Sequence, residues 1–198
     1  MKLRRAGRHG LLVELASLDE VLRLTAELRR RAPPGLVEVV PAARTVLLTG
    51  HGLEALAGEL RGWPLPPVPP AARDPVVIPV TYDGPDLDDV LARTGLAREE
   101  LIALHTGAEL RVAFCGFAPG FAYLAGLPER LHVPRHATPR TEVAAGAVGL
   151  AGEFTGVYPR SSPGGWRLIG RTALALWDEA VDPPSPLLPG TPVRFARA

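Results

Sequence analysis

The sequence predicts an α+β protein in two parts, and three features of the chain lead to that prediction. Residues 1–62 give strand-like and helix-like segments in the order β-α-β-β-α. Residues 62–75, GWPLPPVPPAARDP, carry six prolines and favour an extended spacer. Residues 76–198 hold many short strand-like runs separated by glycine and proline turns, as in a β-barrel or sandwich. We therefore expect a small α+β domain over 1–62, a proline-rich linker over 63–75 and a β-rich domain over 76–198.

The first part should open with a strand and a capped helix. Ser17, followed three residues later by Glu20, forms a capping box, in which each side chain accepts a hydrogen bond from a backbone N–H. Pro33-Pro34-Gly35 should end the helix near Arg31. The core positions of this helix are Val21, Leu22, Leu24 and Leu28. The predicted elements are a strand at 11–15, this helix, strands at 36–40 and 45–48, and a helix at 53–60. Their order suits a ferredoxin-like sandwich in which one strand comes from elsewhere.

The second part should begin with a β-branched strand and two short helices. The strand covers 76–81, and the helices cover 86–94 and 98–105, with Gly95 as the C-cap of the first. Six further short strands are predicted at 110–114, 143–145, 147–150, 166–169, 173–177 and 193–195. Such a series of short strands predicts a barrel or sandwich over this half of the chain.

Composition narrows the function. The net charge of +1 gives no global field that would favour nucleic acid, and 46% hydrophobic residues suffice for a core. The single cysteine, Cys115, fits a reducing compartment, and we interpret it as a small buried residue rather than a nucleophile. No leader peptide or membrane span is evident, so we expect a cytoplasmic protein. The lack of Asn and Gln fits either a thermophile or a GC-rich genome.

Two glycine-rich turns are candidate binding elements. Gly116–Phe121 places Phe117, Pro119, Gly120 and Phe121 just before Tyr123, so aromatic walls could surround a backbone that approaches a ligand closely. Ser162-Pro163-Gly164-Gly165-Trp166 could form an anion-binding nest. The second turn lacks the Gly-Lys-Ser/Thr ending of a Walker A loop. From the residues alone, a purely structural turn explains each segment about equally well.

Arginine is the residue type most suited to hold a carboxylate or phosphate in this region. Arg140 is the first choice because Pro139 fixes the backbone before it, and Arg171 is the second. Arg111 and Arg135 lie nearby, and any single arginine is more often part of a structural ion pair. Further polar candidates without an assigned role are Glu153, Thr155 and Tyr158. His132 and His136 flank Pro134, which argues against a helical metal site, and we predict no metal site in this chain.

A set of linked motifs resembles one protein family. The motifs are Phe117-Ala-Pro-Gly-Phe-Ala-Tyr-Leu124, Pro139-Arg140, Ala151-Gly152, Thr155-Gly-Val-Tyr-Pro159, Ser162-Pro-Gly-Gly-Trp166 and Ile169-Gly-Arg-Thr172. Their order and spacing are similar, over about residues 76–196, to those of the KipI-like family, which is also called allophanate hydrolase subunit 1 or the B-type subunit of 5-oxoprolinase. The resemblance implies a cyclophilin-like β-barrel in the second part.

The resemblance also implies an activity and partners. Family members resemble the B-type subunit of an ATP-dependent 5-oxoprolinase that hydrolyses 5-oxo-L-proline to L-glutamate. The partners would be a KipA-like subunit, the C-type, together with a barrel-type subunit, the A-type. ATP would be a co-substrate, with Mg²⁺ in the assembled complex, and the chain would be inactive alone. Arg140 and Arg171 become the candidate catalytic residues. The candidate substrate- or nucleotide-binding residues are Phe117, Pro119, Gly120, Phe121, Tyr123, Pro139, Gly152, Thr155, Tyr158, Ser162, Gly164, Gly165 and Trp166.

Two other functions fit the same resemblance. One is a KipI-like inhibitor of a histidine kinase, which acts by binding. The other is a subunit in allophanate or urea-amide hydrolysis. The chain also departs from the usual family pattern: Ala147 replaces a common serine, and Glu153 and Phe154 stand where amides are common. These changes bear on the ligand rather than on the fold.

Overall fold

The computed structural model describes residues 1–69 and 74–198, and residue contacts divide the chain into two compact units, Met1–Pro70 and Ala71–Ala198. Helices and strands occur in both units, so the α+β prediction is confirmed. The predicted linker at 63–75 includes residues 70–73, which lie outside the described residues, and the linker therefore stays a prediction.

The first unit is a four-stranded antiparallel sheet with two helices. Its elements are β1 (Lys2–Arg5), β2 (Gly10–Glu14), α1 (Leu18–Arg31), β3 (Leu36–Pro41), β4 (Thr45–Gly50) and α2 (Leu53–Leu60). The strand order β1-β2-β4-β3 shows that the strand expected from elsewhere is the N-terminal β1, which pairs with β2 and completes the ferredoxin-like arrangement. Lysine and arginine make up most of β1, and for that reason its sequence carries no strand signal.

The capping box at the start of α1 is confirmed. The Glu20 N–H donates to Ser17 Oγ at 3.2 Å, and Glu20 Oε2 accepts the Ala16 N–H at 2.9 Å. The helix ends at Ala32, which has φ 44, directly before Pro33. Three of the four predicted core positions, Val21, Leu24 and Leu28, are fully buried, whereas Leu22 is half-buried. The helix therefore presents one apolar stripe to the sheet.

The second unit is a barrel-like sheet of seven strands, as predicted. Its elements are β5 (Val76–Val80), α3 (Leu87–Thr94), α4 (Arg98–Thr106), β6 (Leu110–Cys115), β7 (Ala122–Ala125), a 3₁₀ turn (Glu129–Leu131), β8 (Arg140–Val143), β9 (Ala147–Ala151), β10 (Phe154–Val157), β11 (Ser162–Gly164), β12 (Arg167–Arg171) and β13 (Pro192–Arg197). The large sheet runs β12-β9-β10-β7-β6-β13-β5, and β8 and β11 form a separate two-stranded sheet.

Backbone hydrogen bonds between the two edge strands bring the large sheet almost to closure. Thr81, directly after β5, exchanges two N–H···O bonds of 2.9 Å with Arg171 at the end of β12. Gly170 makes this contact possible, since a Cβ on Gly170 would lie 2.5 Å from the Thr81 carbonyl oxygen. The closed edges leave little unpaired backbone, which protects the barrel from pairing with other chains.

Some predictions for the second unit are wrong. Residues 173–177, expected as a strand, lie in an irregular segment, and the strand expected at 143–145 instead ends at Val143. Cys115, expected to be buried, is exposed, and its Sγ donates to the Leu187 carbonyl at 3.3 Å. No local pattern predicted β7, β10 and β11, which are only three or four residues long.

A buried chain of hydrogen bonds crosses the core of the second unit. The Tyr82 hydroxyl lies 2.8 Å from His105 Nδ1, and His105 Nε2 lies 3.0 Å from Thr155 Oγ1. Because Thr155 donates to the Gly149 carbonyl at 3.1 Å, it must accept from His105, and Nδ1 then accepts from Tyr82. The His105 ring also stacks on Phe195 at 4.3 Å. All of these bonds are satisfied by a neutral imidazole, and burial lowers the pKa of His105 to about 3.

We expect this histidine to make the second unit sensitive to mild acid. In the unfolded chain His105 takes up a proton below its ordinary pKa of 6.5, but in the folded state it does not until about pH 3. The unfolded state therefore binds more protons in that interval, and stability falls as pH falls. The expected loss between pH 6.5 and pH 5 is roughly 2 kcal/mol. Denaturant unfolding at several pH values measures it, and His105→Gln should remove the dependence. A stability that stays constant from pH 7 to pH 5 in the unaltered chain would contradict this assignment.

Candidate functional site

The second unit has a small cavity with aromatic walls. Its lining residues are Phe117, Phe121, Tyr123, Arg135, Tyr158, Gly164, Gly165 and Trp166, and its volume is about 110 Å³. The aromatic rings meet edge to face, with centroids 5.3 Å apart for Phe121–Trp166 and Phe121–Tyr158, and 5.5 Å apart for Tyr123–Trp166. This packing makes the walls rigid. Seven of the thirteen residues predicted to bind a ligand thus line one cavity.

The turn between β6 and β7 places Phe117 at this cavity. Phe117 has φ 71, which is uncommon for a bulky residue, and its side chain is 60% exposed although it is aromatic. Hydrogen bonds within Gly116–Phe121 hold this conformation, including Gly116 N–H to the Phe121 carbonyl at 3.2 Å. Gly120 lies in the same turn with φ 78, and a Cβ there would lie 3.0 Å from the Leu176 carbonyl oxygen. Exposed aromatic surface on strained backbone is characteristic of ligand-binding turns.

The hydroxyl of Tyr158 lies against the glycine pair. A Cβ on Gly164 would lie only 2.2 Å from Tyr158 Oη, so no other residue fits there without moving the ring. Burial raises the pKa of Tyr158, and its effect exceeds the opposite effects of the Trp166 backbone N–H and of Arg135 and Arg140. Burial also raises the pKa of Tyr123. Both hydroxyls therefore remain protonated at neutral pH and can act as hydrogen-bond donors.

Arg135 supplies the positive charge of the cavity. Its Nε and Nη2 both lie 3.7 Å from the position of a Cβ on Gly165, so the flat face of the guanidinium extends along the glycine pair. The backbone on either side is fixed: the Pro134 carbonyl accepts from Arg167 Nε at 2.8 Å, and the His136 N–H donates to the Gly165 carbonyl at 2.7 Å. An arginine held in this way can bind a carboxylate through two parallel hydrogen bonds.

A buried carboxylate, Asp86, holds the loop that carries Arg135. Asp86 Oδ1 lies 2.6 Å from Arg140 Nη2 and 3.2 Å from His136 Nε2, while Oδ2 accepts the Leu168 N–H at 2.7 Å. Burial by itself would raise the pKa of Asp86, but the hydrogen bonds from Arg140, Leu168 and His136 outweigh it, and the pKa is lowered. Asp86 is therefore ionised at neutral pH and joins α3 to both ends of this loop.

Arg140 thus lies beside the cavity and not in its wall. It stands opposite Gly164 in the β8–β11 pair, with one nitrogen bound to Asp86, and its side chain is 33% exposed. Its Nη1 is buried without a hydrogen-bond partner among the described residues. The structure gives Arg140 a positioning contact that the sequence could not reveal.

The remaining predicted residues lie outside the aromatic cavity. Arg171 is 70% exposed, pairs with Asp83 at 2.9 Å and borders a second cavity of about 320 Å³. Thr155 is fully buried in the hydrogen-bond chain of His105. Gly152, with φ 58, forms the turn between β9 and β10. The others, Pro119, Gly120, Pro139 and Ser162, belong to the segments that carry the cavity residues but do not line it.

Metal-ligand clusters and membrane-spanning helices are both missing from the part of the chain that the structure describes. In residues 1–69 and 74–198, no group of three His, Cys, Asp or Glu side chains is arranged to hold a metal ion. Over the same ranges no helix is long and apolar enough to cross a membrane.

Comparison with known proteins identifies the relatives of this chain. The family model described as "Carboxyltransferase domain, subdomain C and D" matches residues 1–187. The 5-oxoprolinase B-type subunit of Escherichia coli O157:H7 is 43% identical over 192 residues, which cover 92% of this chain and 87% of that protein. The corresponding 5-oxoprolinase protein of Bacillus subtilis is 49% identical over 125 residues, or 62% of this chain and 52% of that protein.

A solved structure extends the comparison to three dimensions. The crystal structure of TTHA0988 matches with a TM-score of 0.78 at 36% identity, covering 100% of this chain. This chain spans only 41% of TTHA0988, so the fold described above is one part of that longer protein.

Proposed function

This chain belongs to the carboxyltransferase-domain family of subdomains C and D, and from that membership we propose that it acts as the B-type subunit of a 5-oxoprolinase. The reaction is the hydrolysis of 5-oxo-L-proline to L-glutamate. Relatives of that name at 43% and 49% identity support the proposal. The family expected from the linked motifs is confirmed by the same matches.

The observation that carries the proposal is the aromatic cavity with Arg135 beside the glycine pair. A volume of about 110 Å³ suits a small ring. The substrate is a flat five-membered lactam with one carboxylate, so the rings of Phe121, Tyr158 and Trp166 can enclose the lactam while Arg135 binds the carboxylate. Enclosure excludes water and strengthens each polar contact to the ring. The protonated hydroxyls of Tyr123 and Tyr158 are available to donate to the lactam oxygen.

The cavity does not fit a nucleotide. Sites for ligands of that size are about 300–1,000 Å³, several times larger than this one. We therefore propose that the ATP and Mg²⁺ of the complex are held outside this cavity. The role of Arg135 and the aromatic residues is to bind and orient the lactam.

The proposed complex also contains a barrel-type subunit together with a KipA-like subunit. The exposed ring of Phe117 on strained backbone suits a cavity that is completed by a neighbouring protein of the complex. For this reason we expect the chain to have no turnover by itself.

Reconstitution tests the proposal. The chain is combined with the barrel-type and KipA-like proteins of its complex, and ADP release is measured with and without 5-oxoproline. We expect release that depends on 5-oxoproline and disappears when this chain is omitted. Undiminished release without the chain, with all three proteins shown to be folded, would refute the assignment. The aromatic cavity would then need another ligand.

A further inference from the structure

We propose that the first unit contains a binding site for a phosphate group, separate from the aromatic cavity. A cleft of about 310 Å³ is bordered by the turn between β1 and β2 and by the loop that leads into α2. Its polar lining residues include Arg5, Arg8, His9, His51 and Glu54. The proposal does not depend on the 5-oxoprolinase assignment, because it rests on residues of the other unit.

The charge of the cleft favours an anion. Two arginines and two histidines face one carboxylate, that of Glu54. Arg5 Nη2 lies 3.4 Å from Glu54 Oε1, and both side chains are about three-quarters exposed, at 76% and 75%. An exposed ion pair this long contributes little, so a doubly charged phosphate can take the place of Glu54 at Arg5. Arginine forks match phosphate oxygens in geometry as well as in charge.

Backbone hydrogen bonds join the two loops and bring the cationic groups together. The Gly50 N–H donates to the His9 carbonyl at 2.9 Å, and the His51 N–H donates to the Gly35 carbonyl at 2.8 Å. As a result the rings of His9 and His51 meet edge to face with centroids 5.1 Å apart. The imidazoles are therefore held in place before any ligand binds, which reduces the entropy cost of binding.

The loop before α2 adds backbone donors to these side chains. The segment Gly50-His51-Gly52 directly follows β4 and leads into α2. Gly52 has φ 67 and, lacking a side chain, gives the helix no side-chain cap. The first-turn N–H groups of Leu53 and Glu54 therefore border a cleft that already contains two arginines.

Size and shape identify phosphate as the ligand class. The cleft is within the range of about 300–1,000 Å³ that is usual for small-molecule sites. Leu11, Leu53 and Ala57 give it an apolar floor. A free phosphate ion and the phosphate of a small organic molecule such as a nucleotide share the chemistry that this site recognises, and affinity distinguishes them.

The test is an NMR titration of the full chain with inorganic phosphate at constant pH and ionic strength, followed by one with ADP. We expect saturable shifts of the amides of His51, Leu53 and Glu54, with a Kd of the order of 1 mM. ADP binding that is at least about tenfold tighter would identify a nucleotide-like ligand, while equal affinity would identify the phosphate ion itself.

Three variants make the result decisive. Arg8→Gln should weaken phosphate binding at least about fivefold, because one charged fork is lost. Glu54→Gln should strengthen binding, because the competing carboxylate is removed. Arg61→Gln removes the same charge at the opposite end of α2 and should leave binding unchanged. Unsaturable shifts, or equal weakening by Arg8→Gln and Arg61→Gln, would overturn the proposal, since either result indicates only general attraction of anions.

Discussion

Arg135→Gln is expected to lower the 5-oxoproline-dependent turnover of the reconstituted complex by about a hundredfold or more. That magnitude is typical when one charged or oxyanion-binding donor is removed from an enclosed site. Arg135 is the only arginine that borders the aromatic cavity in the part of the chain that the structure describes. The loss should appear mainly in kcat/KM, because the carboxylate of the substrate would enter the site without its partner. Steady-state assays over a range of 5-oxoproline concentrations measure it.

Two further variants separate binding from folding. Arg130→Gln is the matched control, because Arg130 precedes the same loop and forms only an exposed pair with Glu100 at 2.7 Å. It should retain full activity. Arg135→Lys keeps the charge but not the planar fork, and intermediate activity is expected. If Arg135→Gln stays within about threefold of the unaltered complex, less than the loss of one charged hydrogen bond would cause, Arg135 does not bind substrate.

Local signals in the sequence were sufficient for much of the fold. The Ser17–Glu20 capping box, the Gly95 C-cap and the helical periodicity each depend on residues within one turn of one another, and each prediction agrees with the structure. Residues 173–177, ALALW, have apolar residues in alternation but do not form a strand. The neighbouring strand β12 already pairs with Thr81 through Arg171, so the barrel offers no nearby edge to this segment. Sequence alternation cannot show whether a partner strand is available.

The same distinction applies to the candidate site. The aromatic and glycine residues of the cavity could be chosen from the sequence because they belong to two compact motifs. The choice between Arg135 and Arg140 could not, because it depends on Asp86, which is 54 residues from Arg140 and 82 residues from Leu168. In the sequence, Asp86 resembles an ordinary helix N-cap. The structure shows no side-chain cap bond from Asp86, whose carboxylate points instead to Arg140 and Leu168.

Asp86→Asn is expected to reduce the free energy of unfolding of the second unit by about 3 kcal/mol. Breaking a buried ion pair costs about 3–5 kcal/mol, and the lower end applies because Arg140 is partly exposed. Asparagine can still accept from the Leu168 N–H, but it leaves the guanidinium of Arg140 without a counter-charge. Denaturant unfolding followed through barrel amide signals measures the loss. Asp88→Asn is the control on the same helix, since Asp88 is 91% exposed and its pair with Arg98 is 3.5 Å long. This control should change stability by less than about 0.5 kcal/mol.

The pH dependence of the Asp86 variant gives an independent test of the same contacts. The folded pKa of Asp86 lies below its ordinary value of 3.8, so the folded state binds fewer protons than the unfolded state in this range. Its contribution is therefore complete above pH 3.8 and is lost as pH falls through the lowered pKa. Asp86→Asn should lose stability at neutral pH and approach the unaltered chain in strong acid. A constant difference between the two proteins at every pH would mean that the charge of Asp86 is not what holds the loop. With the loop released, Arg135 would leave its place beside Gly165, so the same variant should also raise the KM for 5-oxoproline in the complex.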